Sequence, residues 1–327
     1  MKKKGKILCF GLFLTVSWLF SGVLHIQAQP YPNRSITVVL PTAPGDASDI
    51  SGRLVIEELE KNILKVPMIP LNKPGAGAAV ATDFVAKSKK DGYTLLYGST
   101  SGIVYNPVFN ADTIPYDPIR DLEPLGLHVC FPDAISVQAE SPWKTFADVI
   151  EYAKKNPGKF RVGTLGVGSI NHFRLEMIKS WAGVDIPMIP FKGAVPAVTA
   201  VLGGHIEAAF VAISLTDPHY QSGKLRPILV DQKVDRLPNV PTLQDLGFKR
   251  ALPLAFFGFF APSGIPEEVR KVLIPAIEKA TRNPESRAKL QSMWFIPRYK
   301  SAEEFKQTIV EDTESAKQIV KQMGITK

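Results

Sequence analysis

Cysteine is nearly missing from this chain: Cys9 and Cys130 are the only two in 327 residues. Cys9 falls in an N-terminal stretch that reads as a leader, so the mature chain keeps one thiol and can form no internal disulfide. Cys130 stands between Val129 and Phe131, the setting of a small buried hydrophobe. Histidine is scarce too, with five residues. There is no Cys-x-x-Cys, no His-Glu-x-x-His and no Walker loop, so no metal or nucleotide chemistry is signalled and no cofactor is expected. Gly98-Ser99-Thr100-Ser101-Gly102 carries Thr where a hydrolase elbow carries its serine. Gly75-Ala76-Gly77-Ala78-Ala79-Val80 lacks the third glycine of a dinucleotide fingerprint. No cluster of Lys and Arg interleaved with aromatics appears, which excludes a nucleic-acid footprint. After the first two dozen residues no run is apolar enough to span a bilayer.

What is present begins with that leader. Lys2, Lys3, Lys4 and Lys6 precede an apolar run over 7–23, followed by Ile26-Gln27-Ala28. The pattern predicts a signal peptide cut after Ala28, in preference to a retained anchor, because Ser17, Ser21 and Gly22 interrupt the run. Cleavage removes 28 of the 327 residues, leaves 299, and lowers the formal charge from +8 to +4. That length fits two domains. The modest positive charge suits an acidic small molecule.

One local pattern occurs twice. An apolar strand at Ile36–Leu40 breaks at Pro41, runs through Thr42-Ala43-Pro44-Gly45-Asp46, and opens a helix near Ser48 and Asp49. Residues 160–162 form a strand, 163–169 a small-residue loop, and a helix starts near Ile170. Each unit aims the unpaired N–H groups and positive dipole end of a helix at whatever lies above it. One such unit is an ordinary βα turn with an N-cap; two, in separate halves, predict jaws that close on an anion. Thr42, Ala43, Ser48 and Asp49 from the first loop and Thr164, Gly166, Gly168, Ser169 and His172 from the second are the candidate ligand-binding residues. Ser99, Thr100 and Ser101 follow a buried strand at 93–97 and fall at the same carboxyl edge, where α/β sheets bind ligands. Lys192 is a candidate counter-ion. The spacing of Ser169 and His172 also admits an exported hydrolase using Ser169 or Ser101, but three residues apart on a first helical turn favours capping.

Strands and helices alternate through the first half, as βαβ units do. A Pro-rich crossing at 114–118 and the segment 122–129 lead to a domain boundary near His128. The second domain is expected to hold strands at 134–137, 187–191, 206–211 and Leu225–Val230, with helices at 143–155 (capped by Ser141 or Thr145), from 170 to 181, and over 195–202. The apolar run 254–262 returns the chain to the first domain. The C-terminal part reads as helical, with Ser301 and Glu304 as a capping box. The expected organisation is a signal peptide at 1–28, a discontinuous first domain at 29–128 plus 254–327, and an inserted second domain at 129–253. Two crossing strands make a hinge near 127–129 and 256–259, with a cleft between the domains.

In order along the chain, Tyr31 to Pro41 with Pro44-Gly45 and Ser48-Asp49, Asn72-Lys73-Pro74-Gly75-Ala76-Gly77, Asp91-Gly92-Tyr93-Thr94-Leu95-Leu96, Tyr116-Asp117-Pro118-Ile119-Arg120-Asp121 and Gly163 to His172 stand together. So do Pro190-Phe191-Lys192-Gly193, Leu202-Gly203-Gly204, Ser222-Gly223-Lys224-Leu225-Arg226, Leu237 to Thr242 and Ala261 to Pro266. This ordered set resembles the Bug-type solute receptors, the periplasmic substrate-binding proteins of tripartite tricarboxylate transporters. The resemblance implies a type II-like periplasmic binding fold, two α/β domains on a two-strand hinge, closing on a small carboxylate. It implies that the loops at 41–49 and 163–172 hold the carboxylate and that 99–101 line the cleft. It also implies a monomer that docks on integral-membrane permease subunits, with no catalysis and no metal. A receptor feeding a signalling partner shares all these features.

Two departures from the family's pattern stand out. Gly45 is followed by Asp46 where a second glycine is usual, and an acid there repels an anion unless it points outward. Phe210 is followed by Val211 where many members carry Asp, which implies a less polar distal end for the ligand, such as an aromatic or alkyl carboxylate.

Overall fold

The computed structural model describes residues 30–323; the signal peptide expected at 1–28 lies outside the described residues. In chain order the elements are β1 (Ile36–Leu40), α1 (Ala47–Glu58), β2 (Met68–Asn72), α2 (Ala79–Ala86), β3 (Thr94–Ser99), α3 (Asn106–Phe109), β4 (Leu122–Phe131) and β5 (Asp133–Gln138). Next come α4 (Phe146–Lys155), β6 (Val162–Thr164), α5 (Ile170–Ala182), β7 (Met188–Pro190), α6 (Ala194–Leu202), β8 (Ala208–Ala212), α7 (Ile213–Gln221) and β9 (Leu225–Val230). The last are β10 (Ala255–Pro262), α8 (Glu267–Arg282), α9 (Pro284–Ser292), β11 (Ile296–Lys300) and α10 (Ala302–Met323).

They build two sheets, in the order β11-β4-β10-β3-β1-β2 and β7-β6-β8-β5-β9. Each is mixed. β1 pairs parallel with β2 and β3, whereas β10 runs antiparallel to β3 and β4. In the second sheet β6 pairs parallel with β7 and β8, and β5 antiparallel with β8 and β9. The parallel strands read as continuous apolar runs because both faces are covered; Val38, Val39, Leu40, Leu95 and Leu96 are wholly buried.

The chain passes from the first sheet to the second at Pro132, between β4 and β5, and returns through 231–254. The first crossing falls later than expected and the return falls earlier. β4 and β10 stay paired through Phe131 and Ala255, so the residues expected to bend, 127–129 and 256–259, are held inside the first sheet. The helix expected over 48–62 is α1 followed by a π-helical turn (Leu59–Leu64), closed by Lys65 with φ of 59°. Of the two caps considered for α4, Thr145 serves, in a reciprocal box with Asp148. The box at Ser301 and Glu304 forms as read. Helix α7 has no counterpart in the sequence reading, since Pro218 inside it breaks the helical pattern.

Candidate functional site

Between the two sheets lies a cavity of ≈ 50 Å³, lined from both lobes. The first turns of three helices reach it through Ala47 of α1, Ile170 of α5 and Ala194 of α6. Three positive dipole ends therefore converge on one small space.

The first lobe supplies Thr42, Ser99, Thr100 and Ser101 to the lining. Thr42 and Ser48 share a hydroxyl hydrogen bond of 2.5 Å, so Ser48 is fully buried behind Thr42 and does not itself line the cavity. Thr100 is exchanged with the main chain of Phe256: its Oγ1 accepts from the Phe256 N–H at 2.6 Å and donates to the Phe256 carbonyl. Ser101 begins a π-helical turn (Ser101–Tyr105), a deviation that reorients side chains near functional sites. Phe131 stacks on Phe257 with ring centroids 4.6 Å apart, and both form an apolar wall.

Helix α1 is positioned from below by a relay. His128, Tyr97 and Ser51 are all buried. The Tyr97 hydroxyl donates to Ser51 Oγ at 3.1 Å, and Ser51 Oγ donates to the Ala47 carbonyl at 2.8 Å. Tyr97 therefore accepts from His128 Nδ1–H at 2.7 Å, and His128 Nε2 carries only a lone pair, consistent with its having no partner. Burial pushes His128 down to about 3, so the ring is neutral.

The second lobe supplies Ser169 and Lys192. Ser169 caps α5 by accepting from the His172 N–H at 3.2 Å. The His172 ring stacks on Phe109 of the first lobe at 4.8 Å, and its Nδ1 accepts from the Gly168 N–H. The Ser169 hydroxyl accepts from the His172 N–H and the Ser101 hydroxyl from the Ile170 N–H. That arrangement caps a helix N-terminus.

Eight sequence candidates fall outside the lining. Ser48 stands behind Thr42. Asp49 turns away, accepting from the Gly45 N–H at 2.9 Å, Arg53 and Asn72. Ala43 is beside the cavity, and Thr164 is buried beneath the second loop. Gly166 (φ 99°) lies instead in an outer groove that Lys192 also borders. Gly168 (φ 79°) abuts Asn106 of the first lobe, and His172 packs at the lobe interface. Val211 corrects the second departure: it packs in a core with Ala197, Val201 and Ile206, and β8 presents Ala212 to the cavity instead. Asp133 and Asn171 add polar groups to the cavity lining.

Asp133 belongs to a buried ionic cluster the sequence reading missed. Arg174, wholly buried, donates to Asp133 Oδ2 and, at 2.7 Å, to Asp231 Oδ2, and its Nε reaches the Pro253 carbonyl at 2.9 Å. Asn171 also donates to Asp133 Oδ2, at 3.1 Å. Burial holds both carboxyls above the usual range even with the guanidinium between them. The one signal in the sequence was an acid inside the apolar run 129–137.

Asp46 corrects the first departure. It points inward, not outward. It occupies the N-cap position of α1, yet its side chain makes no bond to that helix. Its carboxylate crosses the cleft and accepts from the Ala194 and Val195 N–H groups of α6, at 3.2 and 3.1 Å. Burial raises it to about 6.

The family model described as "Tripartite tricarboxylate transporter family receptor" matches residues 52–325. A protein of Cupriavidus necator, "UPF0065 protein in gbd 5'region", is 32% identical over 311 residues, covering 92% of this chain and 91% of the relative. Among solved structures, one titled "Structure of a periplasmic transporter" has a TM-score of 0.85 at 34% identity, with 90% of this chain and 99% of that chain covered. Rpa4515 of R. palustris with adipate has a TM-score of 0.84 at 25% identity, covering 90% and 98%. MatC of Rhodopseudomonas palustris with bound malate has 0.82 at 26%, covering 89% and 100%. These neighbours share the two-domain periplasmic binding fold, and the family's members are receptors, not enzymes.

Proposed function

The chain belongs to the tripartite tricarboxylate transporter receptor family, and from that premise we propose that it is an exported periplasmic receptor that captures a small organic carboxylate between its lobes and hands it to integral-membrane permease subunits. The observation that carries the reading is the convergence of three helix N-termini and the hydroxyls of Thr42, Ser99, Thr100, Ser101 and Ser169 on one interlobe cavity. Charge-assisted hydrogen bonds to a carboxylate contribute about 1.5–3 kcal/mol each, so a few suffice for micromolar capture after the cost of association. The adipate and malate held by two relatives support the ligand class. Residues 1–28 serve as the export signal, residues 29–128 plus 254–327 and 129–253 as the lobes, and the receptor works as a monomer.

Thermal unfolding of the purified protein against a panel of carboxylates tests this. A ligand at 100 times its Kd adds about 2.7 kcal/mol, a readable rise in Tm. No rise with any carboxylate, or a rise with neutral or cationic solutes alone, overturns the reading.

A further inference from the structure

We propose that Asp46 takes the place of a second ligand carboxylate at the N-terminus of α6, so that this receptor accepts a monocarboxylate and turns dicarboxylates away. The inference rests on the carboxylate-receptor reading and narrows its substrate class.

Two features of the chain fit each other here. Helix α6 has Gly193 at its N-cap position and gets no side-chain cap from its own lobe. Asp46 has the residue type and position to cap α1 and does not. The α6 donors are satisfied from the opposite lobe, by a side chain only 1% exposed. Gly193 makes the room: a Cβ there would lie 2.5 Å from Asp46 Oδ2. Its backbone is extended, so glycine is not required by conformation at that position. The space is reserved for the carboxylate.

The charge of the cavity points the same way. Its ionisable lining residues are Asp46, Asp133 and Lys192. Asp133 is paired with Arg174 through Oδ2. With α6 already filled by an internal anion and the first N–H of α5 taken by Ser101, a ligand's single carboxylate is left chiefly the uncapped α1 end. A second anionic group would meet Asp46 in a space of ≈ 50 Å³ whose lining offers Lys192 as its cation, Asp133 being already paired with Arg174. Like charges brought together out of water repel strongly, and that rejects the doubly charged ligand.

The test compares matched pairs by titration calorimetry: butyrate with succinate, 3-hydroxybutyrate with malate, and hexanoate with adipate. The unmodified protein should bind the monocarboxylate of its preferred pair at least about tenfold more tightly. Asp46→Gly should shrink that ratio about tenfold or invert it, and Asp46→Asn should fall between. Gly193→Ala, which pushes Asp46 off α6 from the other side, should reproduce Asp46→Gly, and in the Asp46→Gly background it should have no further effect. A preference for dicarboxylates in the unmodified protein, or an unchanged ratio in Asp46→Gly, overturns the inference. Binding of no carboxylate at all fails the receptor reading instead. Small-angle scattering without ligand then decides the role of Asp46: Asp46→Gly and Gly193→Ala should both be more open than the unmodified protein, and equal compactness refutes it.

Discussion

The Ser101 hydroxyl accepts a hydrogen bond from the Ile170 N–H at 3.1 Å, and the two residues belong to opposite lobes. Ile170 is the first residue of α5, so its N–H has no partner within the helix. The bond spans the cleft between the lobes. Together with Asp46 on α6 it ties both second-lobe helix ends to the first lobe.

Ser101→Ala should therefore weaken capture more than it weakens the fold. It leaves a buried donor unpaired in the closed form alone, a loss of about 1–1.5 kcal/mol, or roughly five- to tenfold in Kd. Calorimetry with the best carboxylate and thermal unfolding without it separate the two effects. Unchanged affinity would remove Ser101 from the closing contacts.

Replacement of Arg174 by Met should be severe. It strands Asp133 and Asp231 without their cation, and breaking a buried pair from one side costs about 3–5 kcal/mol. Asp231→Asn copies the protonated carboxyl that burial favours, so its cost should be less than half of that. Urea unfolding of both variants measures the order; equal losses would contradict the assigned charge balance.

Acid should unfold the protein partly through His128. Its folded value, about 3, lies below the 6.5 of the free side chain. The stability it contributes is complete above about pH 6.5 and drains as pH falls toward 3, by roughly 1.4 kcal/mol per unit. His128→Gln should be less stable at pH 7, because the Tyr97 relay is disturbed, yet show a shallower acid limb. A limb of the same steepness would exclude His128 as its source.

Asp46 titrates in the opposite sense. Burial, aided by the nearby Asp49 charge, raises its closed-state value from 3.8 to about 6. The closed form therefore takes up a proton, and its advantage is complete below about pH 4 and lost as pH rises through 6. Ligand-free protein should be more compact at pH 5 than at pH 8 by small-angle scattering, and Asp46→Asn should lose that dependence while staying compact through its amide oxygen. A pH-independent scattering profile in the unmodified protein would refute the shift.

Much of the fold was legible in the sequence because its signals are local. The run Ile36–Leu40 ending at Pro41 and the Ser301-to-Glu304 box reappear as β1 and the start of α10. Where neighbours decide, the reading slipped. The hinge was placed inside β4 and β10 because nothing local reports that those strands pair through Phe131 and Ala255. The candidate residues of the two loops were taken together, yet of all the candidates Thr42, Ser99, Thr100, Ser101, Ser169 and Lys192 reach the cavity, and Asp46, which does, was not among them. Gly168 and Val211 hold backbone and core in place instead.

By itself the sequence determined that two strand–loop–helix units stand in separate halves of the chain, since strand propensity, glycines and N-cap residues act within a few positions of one another. The tertiary structure alone decided where Asp46 and Asp133 point. A carboxylate can cap its own helix or one 148 residues away, as Asp46 does with Ala194, and only the packing of one lobe on the other selects between those partners.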